Sequence, residues 1–366
     1  MTDMTNDDGL ESAFGFDGTW REFAPIAFTN LLLTIVTLGI YRFWATARER
    51  RYLWSRSRFV DERLEWAGTG LELFIGALLA LVLFFVPYFA AFQIAQALTL
   101  RGHEAIGVAI VIVALVYLFY IYGLARYRAL RYRLSRTRWR GIRGGSDDPG
   151  FTYGLTYMWK TVAGTLPAGL LIPWSMTSLW NDRWNRLSFG PSRFEANADS
   201  SGLFARFLLF YASPIIIMIL GAMGAFVFGG VAALSGGFGP GSPNPVILFL
   251  IVIFFFLGFY LAFGLIAMAF YAKFFRDAVG ATRWNTVEFE FNARTKDWIV
   301  LLLGDIGLVI VTLGVGFIFL GYRHWKFFMI HMEARGEILL DDLTQSTTPV
   351  ASHGEGLLDA LDIGAI

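Results

Sequence analysis

The chain has 366 residues, of which 56% are hydrophobic and only 16% charged, with a net charge of +1. Soluble domains carry about 25% charged residues, so this composition points to lipid, and the near-neutral balance gives no global basic field for nucleic acid. The absence of cysteine excludes disulfides, thiol catalysis, iron–sulfur ligation and cysteine-based zinc sites.

In chain order, residues 1–13 are acidic and polar, lack a basic leader followed by a short apolar core, and are expected to be disordered rather than a cleavable signal. A single membrane domain is expected over 14–332. Phe14 to Gly18 alternates and ends in glycine, a short strand signal. Apolar segments follow at about 20–41, 71–98, 105–124, 154–180, 203–234, 246–270 and 298–322. Several reach the roughly 20 residues that a helix needs to cross a bilayer. Pro87 predicts a kink in the second. The fourth is broken by Lys160, Gly164, Pro167 and Pro173, and the first is interrupted by Pro25 and Thr29-Asn30. From Glu333 the tail is acidic and expected to be disordered.

Between these segments the basic residues cluster. Arg42, Arg48, Arg50 and Arg51 follow the first segment, and a dense run starts at Arg126. Arg183, Arg276 and Arg323 mark later clusters. Such girdles are the positive-inside pattern, here with a cytoplasmic C-terminus. Each leads into a short alternating stretch: LEWAG, WRGIRG, RFEAN and VEFEF. The run Asn30 to Gly39 matches Asp305 to Gly314, ending in Thr-Leu-Gly both times. Pro167 to Trp180 is a looser third copy, with Pro173-Trp-Ser-Met-Thr read in place of Thr-Leu-Gly. Internal repeats take precedence over other fold readings.

The fold class is therefore an all-α polytopic membrane protein with internal pseudo-repeats and short cytoplasmic β-hairpins. It has either seven transmembrane helices or four full crossings plus three broken, re-entrant segments. Short strands are marginal unless they share a sheet. A shared sheet puts every basic link on one side, which favours re-entry.

The stretch FDGTW, the run NLLLTIVTLGIYRFW with its arginines, and LEWAGTGLELFIG resemble the YjgN family of bacterial inner-membrane proteins, domain of unknown function 898, most strongly over Phe14 to Gly76. The resemblance implies a multi-pass protein of the Gram-negative inner membrane. It carries no activity, substrate or catalytic residue.

Asp305 is an acid inside an apolar run, and Asn30 is its repeat partner. An ionisable group at that depth is a functional candidate; the plainer reading is a helix cap or an arginine pair. Glu72 stands at a helix entry, where an acid complements the helix dipole. The girdle arginines, interleaved with Tyr and Trp, suit an interfacial belt and anionic lipid headgroups rather than nucleic acid. His324 and His331 are not spaced for a shared metal. No metal, cofactor or enzymatic motif emerges, and the sequence names no protein partner. Two functions stand: a transporter or channel-like protein for a small solute or lipid, with Asn30, Asp305 and Glu72 on the pathway, or a non-transporting scaffold acting through its cytoplasmic strands.

Overall fold

The structure is a computed structural model that describes residues 2–3, 12–234, 245–338 and 343–350. Most of the N-terminal segment, the Gly-Pro-rich link at 235–244 and the end of the tail lie outside the described residues.

The elements alternate in a simple rhythm. Strand β1 (Thr2–Asp3) and β2 (Phe14–Phe16) precede helices α1 (Trp20–Val36) and α2 (Arg42–Ser55). Strands β3 (Ser57–Phe59), β4 (Glu62–Arg63) and β5 (Glu65–Trp66) follow. Next come α3 (Gly70–Ala80), a π-helical turn (Leu81–Phe85), α4 (Val86–Leu100) and α5 (Glu104–Arg136). Then β6 (Thr137–Trp139) and β7 (Ile142–Gly145) lead to α6 (Phe151–Thr165) and α7 (Ile172–Trp184). Strands β8 (Ser188–Phe189) and β9 (Ser192–Ala196) lead to α8 (Phe204–Leu234) and α9 (Pro245–Gly280). Finally β10 (Thr282–Trp284) and β11 (Val287–Phe291) lead to α10 (Thr295–Val311) and α11 (Leu320–His331), and then to β12 (Met332–Arg335) and β13 (Glu337–Ile338).

The strands are not isolated hairpins. β5 to β12 form one eight-stranded antiparallel sheet in sequence order, and β2-β3-β4 form a three-stranded one beside it. Phe14 of β2 meets the Phe289 ring of β11 at 6.4 Å, so the sheets curl towards each other around an aromatic core. Trp139, Leu187, Trp284 and Val287 are buried there. The fold is thus helical with a substantial sheet, a correction to the all-α expectation. The cause is visible in the register. LEWAG pairs with Thr137–Trp139, RFEAN with Ser188–Phe189 and VEFEF with Thr282–Trp284, while WRGIRG spans the β6–β7 turn; these partner strands, like Ser57–Phe59, are too short to show alternation.

Every helical pair is an excursion between two adjacent, paired strands. The α1/α2 pair leaves β2 and returns to β3, α6/α7 joins β7 to β8, and α10/α11 joins β11 to β12. The longer pairs join β5 to β6 and β9 to β10. Four helices are long and apolar enough to cross a membrane, over Gly70–Leu100, Glu104–Arg136, Ser201–Gly224 and Phe249–Gly280 among the described residues. The arms of the other three pairs are 12 to 17 residues long. At Pro87 the long helix answers with the π-helical turn; Pro87 has no N–H for the Leu83 carbonyl, and the Tyr117 hydroxyl donates to it at 3.1 Å.

The three short pairs share a turn. Leu38 and Gly39, Ala168 and Gly169, and Leu313 and Gly314 are all left-handed, with φ of 51° and 93°, 50° and 80°, and 50° and 94°. Gly39 and Gly314 donate five residues back, to Thr34 and Val309, at 2.7 and 2.8 Å, closing the helix as a Schellman turn does. In the middle pair the turn falls at Pro167-Ala-Gly and not at Pro173-Trp-Ser-Met-Thr, because what the three pairs share is the backbone turn rather than the residue type.

The tail also departs from expectation. Glu333 to Arg335 lie in β12. Further on, Gln345 accepts from the Arg143 amide at 3.1 Å and donates to the Gly141 carbonyl at 3.0 Å.

Candidate functional site

One polar residue sits eight positions before the left-handed residue in each short pair: Asn30, Lys160 and Asp305. All three are buried. Each reaches its own return arm. Asn30 Nδ2 donates to the Ala45 carbonyl at 3.3 Å and to Glu49 Oε1 at 3.1 Å. Asn30 Oδ1 has no partner among the described residues. Lys160 donates to Ser178 and pairs with Asp182. Asp305 takes Arg323 Nε at 2.6 Å and His324 Nε2 at 2.7 Å. Gly304 makes room for this pair, since a Cβ there would meet Arg323 Nη2 at 2.4 Å. No hydrogen bond among the described residues joins Asn30 to Asp305.

Lys160 is the residue that sequence reading missed as a site. It entered only as an interruption of an apolar segment. Counting back from Gly169 as from Gly39 and Gly314 would have found it, had the turn itself been recognised.

Glu72 lies elsewhere, at the start of α3. Thr69 and Glu72 form a reciprocal cap, with side-chain-to-backbone distances of 3.3 and 3.4 Å. The same carboxylate accepts from Tyr132 at 2.9 Å and from Arg136 Nε and Nη2 at 3.0 and 2.9 Å. It therefore pins α3 to α5 by a bidentate charged pair.

The girdle arginines divide by environment. Arg42, Arg48 and Arg51 are exposed. Arg50 is buried with its guanidinium 5.1 Å from the Trp66 ring centre. Arg126 is half-buried, 5.9 Å from the Tyr122 ring. Arg183 is buried above Trp180. Arg276 donates to the Ala293 carbonyl at 2.9 Å. On the outward face of the sheet, opposite charges stand in register: Glu65 against Arg138, Arg283 against Glu195 and Glu288, and Glu288 against Arg335. Such cross-strand pairs each contribute about 0.2–1 kcal/mol.

Tryptophans tie the return arms to the strands. Trp54 donates to Thr137 Oγ1 at 2.9 Å, Trp180 to Thr282 Oγ1 at 3.0 Å, and Trp325 to Ser57 Oγ at 2.8 Å. Tyr52 bonds the Thr19 carbonyl at 3.0 Å and Glu22 at 3.3 Å. Burial, helped by the Glu22 charge, pushes its hydroxyl up to about 12.

A cleft of about 690 Å³ opens between Trp20 and the α10/α11 pair. Its wall includes Val300, Leu308, Phe319 and Ile330, and its sheet-side mouth carries Lys326, His331 and Asp297, with Arg323 further in. No group of three or more His, Asp or Glu side chains among the described residues is placed to hold a metal ion.

A family model described as "Bacterial protein of unknown function (DUF898)" matches residues 11–360. The chain belongs to this family. Relatives of this DUF898 chain carry the name inner membrane protein YjgN. The one from Salmonella typhimurium is 27% identical over 123 residues, which is 33% of this chain and 29% of the relative. The one from Escherichia coli K12 is 34% identical over 86 residues, 23% of this chain and 22% of the relative. The matched stretches thus span less than a third of those relatives. No solved structure matches the chain.

Proposed function

We propose that this is a multi-pass protein of the bacterial inner membrane, built from internal pseudo-repeats, that binds and moves an anionic amphiphile along the α10/α11 cleft. Four helices cross. The three short pairs enter and leave the bilayer from the cytoplasmic side, where the sheet, the girdle and the C-terminal strands lie. The relatives' names and the four long apolar helices support the membrane. Exposure at the tips supports re-entry: Leu38 is 93% and Leu313 94% exposed, and apolar tips of this kind need lipid around them. Irregular backbone at that depth must be satisfied from within the protein. Thr37 and Thr312 do so, with their hydroxyls accepting from the Tyr41 and Gly316 amides at 2.9 and 2.7 Å.

The observation that carries the substrate class is a cleft whose apolar wall is joined by basic side chains, Lys326 and His331 beside Asp297 at its mouth. A negatively charged headgroup suits Lys326, Arg323 being paired with Asp305, and an acyl chain suits Leu308 and Phe319. Asn30, Lys160 and Asp305 act here as braces that hold each pair closed, rather than as stations on the path. The test is photocrosslinking with photoactivatable phosphatidylglycerol in reconstituted vesicles. Lys326→Gln and a cleft-filling Leu308→Trp should each cut labelling of α10 and α11 severalfold. Unchanged labelling in both would refute the cleft.

The scaffold reading draws on a different feature. A polar groove of about 1010 Å³ runs along β11, lined by Arg276, Glu288, Glu290, Arg294 and Arg335. A partner protein with mixed charge would fit it, and co-purification lost on Glu288→Lys would favour that role.

A further inference from the structure

Arg183 lies in the last turn of α7, is 6% exposed, and has a buried Nε with no hydrogen-bond partner. Among the described residues no carboxylate lies within ion-pair distance of it. Asp182, its neighbour in the chain, is paired with Lys160, and Asp148 is paired with Arg186. The contact it does make is with the Trp180 ring, 5.3 Å from its guanidinium carbon. Its strongest electrostatic neighbours are Tyr153 of α6 and a second cation, Arg126 of α5. The Arg186 guanidinium stands 5.9 Å from the ring of that same Tyr153. Arg126 of α5, Arg183 of α7 and Arg186 of the turn that follows α7 thus converge on one buried tyrosine.

A guanidinium withdrawn from water loses far more than one aromatic face returns. A second cation nearby makes the balance worse. Other buried charges of the short pairs have ionic partners; Lys160 has Asp182 and Asp305 has Arg323. The exception marks a place where the compensating charge comes from outside the chain.

We propose that α5, α6 and α7 enclose a binding site for a phosphate-class oxyanion, with Arg183 at its centre and Arg126 and Tyr153 at its sides. The planar fork of an arginine matches a phosphate in two parallel bonds. The position also fits. The apolar part of α5 ends at Leu124 and the basic run starts at Arg126, which places the site at headgroup depth. Basic pockets between membrane helices on the cytoplasmic side take phosphorylated headgroups. The group comes either from an anionic phospholipid or from free phosphate. This site lies in the second short pair, and it does not rest on the cleft between Trp20 and α11.

The experiment uses the full chain, purified in a neutral detergent and stripped of lipid. Thermal unfolding is followed against inorganic phosphate at constant ionic strength, and separately against phosphatidylglycerol, with diacylglycerol of the same chains as control. Wild type should show a saturable rise in melting temperature. In Arg183→Met and in Arg126→Gln the concentration at half-effect should rise about tenfold or more. A response to phosphatidylglycerol alone identifies a membrane lipid; a response to inorganic phosphate alone identifies a soluble anion; a response to both identifies a headgroup pocket open to water. If Arg183→Met fails to fold, Arg126→Gln carries the comparison. No saturable rise in wild type, or the same half-effect concentration in the folded variants, overturns the site. The phosphatidylglycerol titrations are run in the Lys326→Gln background, where the cleft is weakened; the loss caused by Arg183→Met and Arg126→Gln should persist there, which separates this site's failure from that of the cleft.

Discussion

Asp305 shows how a polar residue at depth becomes a brace. Asp305 is 8% exposed, and its carboxylate meets two donors from α11. Removing it leaves Arg323 without its acid, so Asp305→Ala should lower stability by about 1.5–3 kcal/mol, read as a fall in melting temperature. If the fall is negligible, the brace is wrong and a pathway role regains ground. Tyr52 makes a second prediction. Burial and the Glu22 charge push its hydroxyl up from the ordinary 10.0 to about 12. A raised pKa means that the folded state holds the proton more tightly, so this stabilisation is present below pH 10 and is lost as pH rises towards 12. Wild type should therefore lose stability across that window relative to Tyr52→Phe; parallel curves would contradict it. At this scale the sequence was half legible. Asp305 and Asn30 stood out because they interrupt apolar runs. Lys160 did not, because its own segment is broken by prolines and offered no clean background.

At the scale of elements, the left-handed turns are what the three short pairs have in common. Gly39 and Gly314 have φ above 90° with nothing within 4 Å of a built Cβ. The cost of Gly39→Ala or Gly314→Ala is then backbone strain alone, about 1–2 kcal/mol each. A melting-temperature change within error would show that the turns relax freely. Thr-Leu-Gly was readable in the sequence since both copies keep the threonine that closes the turn. Pro167 replaces that threonine in the middle copy, and its fixed φ serves the turn by other means, so residue matching slid to the wrong proline. The strands were legible where five residues alternate, as in VEFEF, and hidden where three residues sit at the end of a helix, as in Thr137–Trp139.

The whole molecule is a curled antiparallel sheet with helical pairs inserted between neighbouring strands. The sequence shows seven apolar segments, and four helices among the described residues are long and apolar enough to cross a membrane. The paired strands decide the geometry, because a chain that leaves one strand and returns to its neighbour ends where it began. That pairing joins residues far apart in sequence, such as Glu65 with Arg138, and no local pattern reveals it. The central claim is that all the links lie on one face of the membrane. The chain has no cysteine, so single cysteines can be placed without background at Glu62, Arg193 and Glu288 on the sheet and at Arg101 between α4 and α5. All four positions are exposed. Intact cells are labelled with a membrane-impermeant maleimide, and permeabilised cells serve as the control. The account predicts that 62, 193 and 288 stay protected while 101 reacts. Labelling of 193 and 288 in intact cells would contradict it, since the sheet would then have to be divided across the membrane.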